Sequence, residues 1–183
     1  VVPLPALATV SGVPSGADRM TETPPSRSSP RTGRVPVAKS ATEPRVAVVT
    51  GGATGITSGV ARAFAEHGAK LAITSRKEEN LTAMKKLIED GGGQCFTVPA
   101  DVRDYAAVEN AIAKTIEHYG KIDIVVNGAA GNFLCAADQL SANGFGTVLD
   151  IDTKGTFNVC RAAFEELKKS KGQILNISAT PDY

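Results

Sequence analysis

The chain has 183 residues, with 20 basic and 19 acidic side chains and a formal net charge of +1. The length predicts one domain plus a tail, and the near-zero charge gives no general argument for binding nucleic acid or a membrane. No apolar run is long enough to cross a bilayer. Cys95, Cys135 and Cys160 show no metal-ligand spacing, so we predict no metal site, and their odd number favours a reduced compartment. We interpret all three as small core or edge hydrophobes.

The first part of the chain, residues 1–44, is rich in proline, serine, threonine and alanine and shows neither helical nor strand periodicity. Because proline repeatedly removes backbone donors, we predict a disordered Pro/Ser-rich tail. Arg27, Arg31 and Arg34 lie among serines, as in a transit peptide. An unstructured leader or translated upstream sequence is the simpler interpretation.

The first predicted strand and its loop lie in Val46–Ile56, which reads VAVVTGGATGI. A valine-rich run breaks into a glycine turn, and the amphipathic segment Thr57–His67 follows. Gly51 and Gly52 let the backbone turn sharply and approach a pyrophosphate, because neither carries a Cβ. A helix beginning near Gly55 would direct its N–H groups and the positive end of its dipole at that anion. This order is typical of a dinucleotide-binding unit, although ordinary strand-to-helix turns carry similar glycines.

Strands and helices alternate through residues 45–183. The later predicted strands are Lys70–Ser75, Gln94–Pro99, Ile122–Asn127 and Gln173–Ser178, and the predicted helices are Glu78–Asp90, Tyr105–Tyr119 and most of Ser141–Lys168. This alternation predicts an α/β fold, a Rossmann-like doubly wound parallel sheet with helices on both faces. Right-handed crossovers place the first and fourth strands side by side and leave a crevice at their carboxyl ends.

Four segments resemble the short-chain dehydrogenase/reductase family, each after the expected element. They are Thr50–Ile56 (TGGATGI), Asp101–Val102, Asn127–Gly131 (NGAAG) and Asp152–Asn158 (DTKGTFN). Within that family, the segments Ala129–Cys135 (AAGNFLC) and Val148–Asp152 (VLDID) resemble the peroxisomal 2,4-dienoyl-CoA reductases. The resemblance implies a cofactor site formed by Thr50, Gly51, Gly52, Ala53, Thr54, Gly55, Ile56, Ser75, Arg76, Asp101, Val102, Asn127, Ala129, Ala130 and Gly131. Residues 45–183 are therefore predicted to be a truncated NADP-binding domain.

The end of the second predicted strand, Ser75-Arg76-Lys77, bears on the choice of cofactor. A carboxylate there would repel a ribose 2′-phosphate, whereas the Arg76 guanidinium can hold it through paired charge-assisted hydrogen bonds, so we predict NADPH. The alternative is that Arg76 and Lys77 merely open a solvated helix. The resemblance implies that Asp101 accepts a hydrogen bond from the adenine amino group, and an N-cap for the next helix is its alternative use.

For the substrate, the resemblance implies an acyl chain and thioester lying over the nicotinamide. Phe133 would line that pocket, and Arg76 and Arg103 would lie near the phosphates of coenzyme A or of the cofactor. The backbone that contacts acyl-CoA is matched by Ser141, Ala142 and Asn143. A surface charge at Arg103 and a plain core aromatic at Phe133 are the alternatives.

The catalytic positions depart from most of the family, which uses a serine, a tyrosine, a lysine and an asparagine. Ala179 matches the serine, and Asp152, three residues before Gly155, matches the asparagine. A carbonyl reductase needs a hydroxyl to protonate an alkoxide. When hydride adds to a dienoyl thioester, the negative charge instead moves to the thioester oxygen, as an enolate. The enzyme must then stabilise this oxyanion and deliver a proton to carbon. The resemblance implies that Asp152 holds the water that carries this proton; a buried or capping acid is the alternative.

We therefore predict NADPH-dependent reduction of 2,4-dienoyl-CoA to 3-enoyl-CoA in the degradation of unsaturated fatty acids. The alternatives are another short-chain reductase, acting on a carbonyl or a 3-oxoacyl thioester, or a catalytically dead NADP-binding fragment. The peroxisome is the expected compartment, with the mitochondrion or cytoplasm as alternatives. A fatty acyl-CoA is the expected substrate, and a homo-oligomer is expected only for the full-length protein.

Several features suggest an incomplete chain or a weakened site. The first methionine is Met20, and the chain stops at Tyr183, before the position of the family's catalytic lysine. We therefore expect a fragment that does not turn over. Thr57 stands at the third glycine of the motif and places cofactor affinity in doubt. His67 and His118 are expected to be surface residues of helices without partners.

Overall fold

The computed structural model describes residues 43–178 of the chain. The predicted tail, apart from its last two residues, lies outside this range, as do Ala179 and Tyr183. The tail and the assignment of Ala179 therefore stay predictions.

The described chain alternates strands with helices in the predicted order. The strands are β1 (Val46–Thr50), β2 (Lys70–Ser75), β3 (Gln94–Pro99), β4 (Ile124–Asn127) and β5 (Gln173–Asn176). The helices are α1 (Gly55–Glu66), α2 (Glu78–Asp90), α3 (Tyr105–Tyr119), α4 (Ala142–Leu149) and α5 (Gly155–Ser170), with a π-helical segment, Asp150–Lys154, between the last two.

The strands form one parallel sheet in the order β3-β2-β1-β4-β5. Val48 of β1 pairs with Ala72 on one side and with Val125 on the other. The predicted α/β fold and the predicted adjacency of the first and fourth strands are therefore confirmed. The loops that follow β1 and β4 leave the same edge of the sheet side by side, which is where such sheets bind ligands.

Both faces of the sheet are covered at β1, whose side chains alternate between two separate cores, whereas every residue of the edge strand β5 is exposed. Ala47 and Val49 belong to a core that is closed by α1 and α2 through residues such as Leu81. Val48 belongs to the opposite core, which is closed by α3 and α5 through residues such as Val159. A strand buried on both faces reads as a continuous apolar run, as β1 does.

The predicted long helix, fourth strand and fifth strand differ from the structure. The strand β5 ends at Asn176, two residues earlier than predicted. The long helix is interrupted by the π-helical segment, where Asp150 lies 3.7 Å from the Lys154 ammonium. The strand β4 begins two residues later than predicted. Asp123 is buried just before it, and its Oδ2 accepts a hydrogen bond from Val46 N at 2.8 Å and lies 3.3 Å from Lys121 Nζ.

Two other expectations are corrected. His118 is exposed but does have a partner, since its ring stacks on Phe96 with centroids 4.4 Å apart. His67 Nδ1 lies 2.7 Å from the carbonyl oxygen of Ala63, one turn earlier in α1. Cys95 is buried as expected, whereas Cys135 is exposed and is no core hydrophobe.

Two further searches cover residues 43–178 only. In that range no helix combines the length and the apolar character needed to span a membrane. Within the same residues, no group of three or more histidine, cysteine, aspartate or glutamate side chains is placed to hold a metal ion.

Candidate functional site

A cleft of about 430 Å³ opens at the carboxyl edge of the sheet. Its lining residues are Gly51, Thr54, Gly55, Ile56, Thr57, Thr74, Ser75, Arg76, Ala100, Asp101, Val102, Gly128, Ala129, Ala130, Ile151 and Ile177. They come from the carboxyl ends of all five strands and the loops after them, from the first turn of α1 and from the π-helical segment. The cleft therefore lies at the edge that the sequence predicts.

The loop after β1 packs closely on the loop after β4. Gly51 has a positive φ of 66°, and a Cβ there would lie only 2.8 Å from the carbonyl oxygen of Gly128. Only glycine fits this position without moving one of the two loops. Gly55 also has a positive φ, of 62°, but a Cβ built at this position would have no atom within 4 Å. The conformation of the backbone at Gly55 therefore favours glycine, whereas the space around it does not require it.

Thr50 fastens these two loops together. Its Oγ1 accepts hydrogen bonds from the backbone N–H groups of Gly128 at 3.1 Å and Ala129 at 3.2 Å, and lies 3.4 Å from the carbonyl oxygen of Val126. Thr50 is buried and does not line the cleft. We therefore interpret Thr50 as a residue that holds the two loops of the cleft in place and does not contact a ligand directly.

Replacing Thr50 by valine is expected to lower the free energy of unfolding by about 1–3 kcal/mol, because two backbone donors lose their acceptor. Urea denaturation measures this loss. Thr115→Val is the matched control, since the buried Thr115 hydroxyl bonds only one turn back, to the carbonyl oxygen of Ala111. We expect a smaller loss for Thr115→Val, and equal losses would contradict a special role for Thr50.

The N-terminus of α1 faces the cleft without a cap from its own side chains. Thr54 stands at the N-cap but makes no side-chain capping hydrogen bond, and the first turn contains no acidic residue. By contrast, α3 is capped by Asp104 and α4 by Ser141. An uncapped helix N-terminus that lines a cleft is suited to an anion, because its N–H groups and dipole favour negative charge.

The end of β2 brings a cation to the same cleft. Arg76 is exposed and lines it, together with Ser75, whereas Lys77, at the N-cap of α2, does not. This placement distinguishes Arg76 from the other basic residue of the motif.

Asp101, after β3, is held by Arg103. The Asp101 carboxylate accepts hydrogen bonds from Arg103 Nε, at 3.0 Å to each oxygen, and from Arg103 Nη2 at 2.5 Å. It also accepts one from the backbone N of Arg103 at 3.0 Å. These side-chain hydrogen bonds hold the pKa of Asp101 below its usual value, although partial burial acts in the opposite direction. The N-cap of α3 is Asp104, so the alternative use of Asp101 as that cap is wrong.

Replacing Arg103 by leucine is expected to raise the pKa of Asp101 toward its ordinary value. A carboxyl group whose pKa is lower in the folded protein than in the unfolded chain stabilises the fold at pH values above the unfolded-state pKa. This stabilisation is lost as the pH falls through the folded-state pKa. Titration of the Asp101 carboxyl by NMR measures the shift. Lys114→Leu, on an exposed position of α3, should leave it unchanged. An unshifted Asp101 in the Arg103→Leu variant would contradict the pairing.

Asn127, at the end of β4, lies behind the cleft. Its Nδ2 donates to Asn176 Oδ1 at 2.9 Å and lies 3.2 Å from Cys160 Sγ, while its own Oδ1 is buried without a hydrogen-bond partner among the described residues. Asn127 therefore links β4 to β5 and α5 and does not line the cleft.

Asp152 is exposed on the π-helical segment and reaches back to the loop after β4. Its Oδ1 accepts a hydrogen bond from Gly131 N at 2.9 Å. A Cβ at Gly131 would lie 2.6 Å from Ile151 Cδ1, so the loop and the segment are in close contact. Ile151 and Ala130, which precede Asp152 and Gly131 in the chain, line the cleft, whereas Asp152 itself does not.

Most residues predicted to bind substrate do not line the cleft, although Arg103 is bonded to the lining residue Asp101. Phe133 is 55% exposed, and Ser141 accepts a hydrogen bond from Gly144 N at 3.0 Å as the N-cap of α4, followed by Ala142 and Asn143. Of that set only Arg76 lines the cleft. The cleft brings together ten residues of the predicted cofactor site, which are Gly51, Thr54, Gly55, Ile56, Ser75, Arg76, Asp101, Val102, Ala129 and Ala130. The other five residues of that predicted site do not line the cleft, and they are Thr50, Gly52, Ala53, Asn127 and Gly131.

The sequence-based prediction missed six lining residues, which are Thr57, Thr74, Ala100, Gly128, Ile151 and Ile177. Gly128 and Ile151 lie inside segments that carried the resemblance, so they could have been included. Thr57 was recognised as a departure and not as part of the wall.

The motif, fold and cleft together define the class of protein. The sequence model of the family described as short chain dehydrogenase matches residues 45–181. The chain belongs to the short-chain dehydrogenase family.

Among curated proteins, the relatives include the peroxisomal 2,4-dienoyl-CoA reductase of Arabidopsis thaliana, which is 44% identical over 148 residues, covering 76% of this chain and 50% of that protein. The reductase of the same name from Rattus norvegicus is 45% identical over 138 residues, covering 74% of this chain and 47% of that protein. The chain therefore spans about half the length of the curated relatives it matches.

Among solved structures, a short chain dehydrogenase from Bacillus anthracis is 40% identical with a TM-score of 0.70, covering 74% of this chain and 57% of that one. An alcohol dehydrogenase from Thermococcus sibiricus, complexed with 5-hydroxy-NADP, is 29% identical with a TM-score of 0.70, covering 73% and 57% of the two chains.

Proposed function

We propose that this chain is the cofactor-binding part of an NADPH-dependent 2,4-dienoyl-CoA reductase. The observation that carries the proposal is the hydrogen bond that the Asp152 carboxylate accepts from Gly131 N, next to Ala129 and Ala130, which line the same cleft as Arg76. The names of the curated relatives support the same reaction. The reduction converts a conjugated dienoyl thioester to a 3-enoyl thioester, in the degradation of unsaturated fatty acids.

The residues of the cleft fit a nicotinamide dinucleotide. The close approach of the loops at Gly51 leaves no room for a side chain, and the uncapped start of α1 suits the pyrophosphate. Asp101, kept ionised and fixed in direction by Arg103, is the acceptor that we assign to the adenine amino group. Val102, Ala129 and Ala130 supply apolar walls.

Arg76 supports the choice of NADPH. It lines the cleft at the end of β2, where no acidic residue follows the strand before α2 begins. A guanidinium can donate paired hydrogen bonds to a 2′-phosphate, and a phosphate carries more negative charge than the hydroxyl of NADH. We infer that NADPH is the preferred cofactor.

When bound, the cofactor supplies the hydride to the far end of the diene. The electron pair then moves onto the thioester oxygen as an enolate, and a proton must reach carbon to leave a 3-enoyl product. We assign Asp152 to hold the water that passes this proton. Its Oδ1 is fixed by Gly131 N, which orients the carboxylate and leaves Oδ2 as the atom to hold the water.

The acyl-CoA site is proposed to lie beside the cleft, around the loop after β4. Phe133 would line the pocket of the acyl chain, and Arg103 would lie near the phosphates of coenzyme A or of the cofactor. The backbone of Ser141, Ala142 and Asn143 would contact the acyl-CoA. The names of the relatives favour the peroxisome as the compartment. A homo-oligomer is proposed for the whole protein.

The test is an assay of the whole protein with a 2,4-dienoyl-CoA and, separately, with a 3-oxoacyl-CoA, following the loss of NADPH absorbance. We expect turnover with the dienoyl thioester and formation of the 3-enoyl product. Turnover with the 3-oxoacyl thioester alone would show a carbonyl reductase instead. If NADPH absorbance falls with neither substrate, both enzymatic interpretations are contradicted.

A further inference from the structure

Thr57 occupies a position that the motif TGGATGIT would otherwise give to glycine, yet its side chain is packed inside the loop. It lines the base of the cleft and is only 3% exposed. A branched side chain at this point has to find room between the start of α1 and the loop after β4.

The hydroxyl of Thr57 is bonded to the loop that precedes α1. Its Oγ1 donates to the carbonyl oxygen of Gly51 at 2.8 Å and lies 3.4 Å from that of Thr54. Gly51 is the residue with positive φ that starts the turn, and its own N–H donates to Thr74 O at 2.9 Å. The Thr57 hydroxyl therefore ties down the peptide that follows Gly51.

The methyl group of Thr57 has room only because residue 128 is glycine. A Cβ at Gly128 would lie 1.9 Å from Thr57 Cγ2, while its next nearest neighbours, Thr57 Cβ and the carbonyl oxygen of Thr50, would be 3.1 and 3.3 Å away. The only severe overlap is thus with the methyl group of Thr57. The two positions, 71 residues apart in sequence, fit each other by shape.

We propose that Thr57 is a positioning residue for the cofactor, and that Thr57 and Gly128 form a matched pair. The methyl group fills the space that Gly128 leaves open and so packs α1 against the loop after β4. The hydroxyl holds the Gly51 carbonyl, so the loop after β1 keeps the shape that receives a pyrophosphate. The pairing itself depends only on the described contacts. The effect on the cofactor rests on the proposed NADPH function.

The pairing is tested by thermal unfolding of four proteins, which are the wild type, T57S, G128A and the double variant. Inserting a methyl group into a filled space is expected to lower the Tm of G128A by roughly 4–12 °C. In the T57S background the same change should cost less than half as much, because the overlapping methyl group is gone. Equal losses in the two backgrounds would overturn the pairing.

The positioning role is tested by titrating NADPH into T57V and T57S of the whole protein. T57V keeps the branched shape but loses the hydroxyl, and we expect an approximately tenfold higher Kd for NADPH. T57S keeps the hydroxyl and should bind within about twofold of the wild type. Wild-type affinity in T57V would overturn the positioning role.

The two tests separate the inference from the proposed function. If the wild type does not bind NADPH, the proposed function fails, and the positioning role fails with it. The thermal measurements still decide whether Thr57 and Gly128 are matched. If the wild type binds and T57V binds equally well, only the positioning role is overturned.

Discussion

The D152N variant of the whole protein is expected to reduce dienoyl-CoA about 100-fold to 10,000-fold more slowly than the wild type, which is the usual range for removing a group that handles a proton. The amide oxygen of asparagine can still accept the hydrogen bond from Gly131 N, so the loop after β4 should keep its shape. The Kd for NADPH and the Tm should therefore change little. Steady-state kcat with saturating cofactor and substrate measures the effect.

The matched control is D150N. Asp150 is also an exposed acid of the π-helical segment, but it lies against Lys154 at 3.7 Å and is not bonded to the loop after β4. We expect D150N to keep nearly all of the wild-type kcat. Equal activity of D152N and the wild type would remove Asp152 from the reaction.

The R76E variant is expected to bind NADPH much more weakly while leaving NADH binding nearly unchanged. The lost charge-assisted hydrogen bonds are worth about 1.5–3 kcal/mol, which is roughly one to two decades in Kd. The new carboxylate adds repulsion toward a 2′-phosphate, whereas it can accept a hydrogen bond from the 2′-hydroxyl of NADH. Titration of both cofactors by fluorescence measures the change in preference.

Lys77 provides the control for Arg76, because it is the adjacent basic residue but does not line the cleft. K77E makes the same change of charge one residue further along, and we expect a shift in NADPH affinity of less than about threefold, from screened long-range charge alone. An equal loss of NADH and NADPH binding in R76E would contradict a contact with the 2′-phosphate.

The sequence was a good guide to the fold because its signals were local. The apolar runs and glycine turns placed β2, β3, α2 and α3 at their observed ends, and right-handed crossovers were enough to set β1 beside β4. The break in the long helix was not predicted. Most of residues 141–168 was predicted to be helical, and nothing in their composition marks Asp150–Lys154 as a π-helical segment.

The candidate site was predicted less completely, because several of its features depend on pairs of distant residues. The hydrogen bonds that Arg103 donates to the Asp101 carboxylate were not predicted, although both residues are candidate site residues in the sequence. The fit of Thr57 against Gly128 joins two segments that are separate in sequence. What had been interpreted as a defect at Thr57 is a packed side chain with a bonded hydroxyl.

The most direct test of the whole account is a crystal structure of the whole protein with NADP⁺ bound. We predict the pyrophosphate against the first turn of α1, after Gly55, with the 2′-phosphate in contact with the Arg76 guanidinium. A dinucleotide bound elsewhere, or one in the cleft with its 2′-phosphate turned away from Arg76, would contradict it.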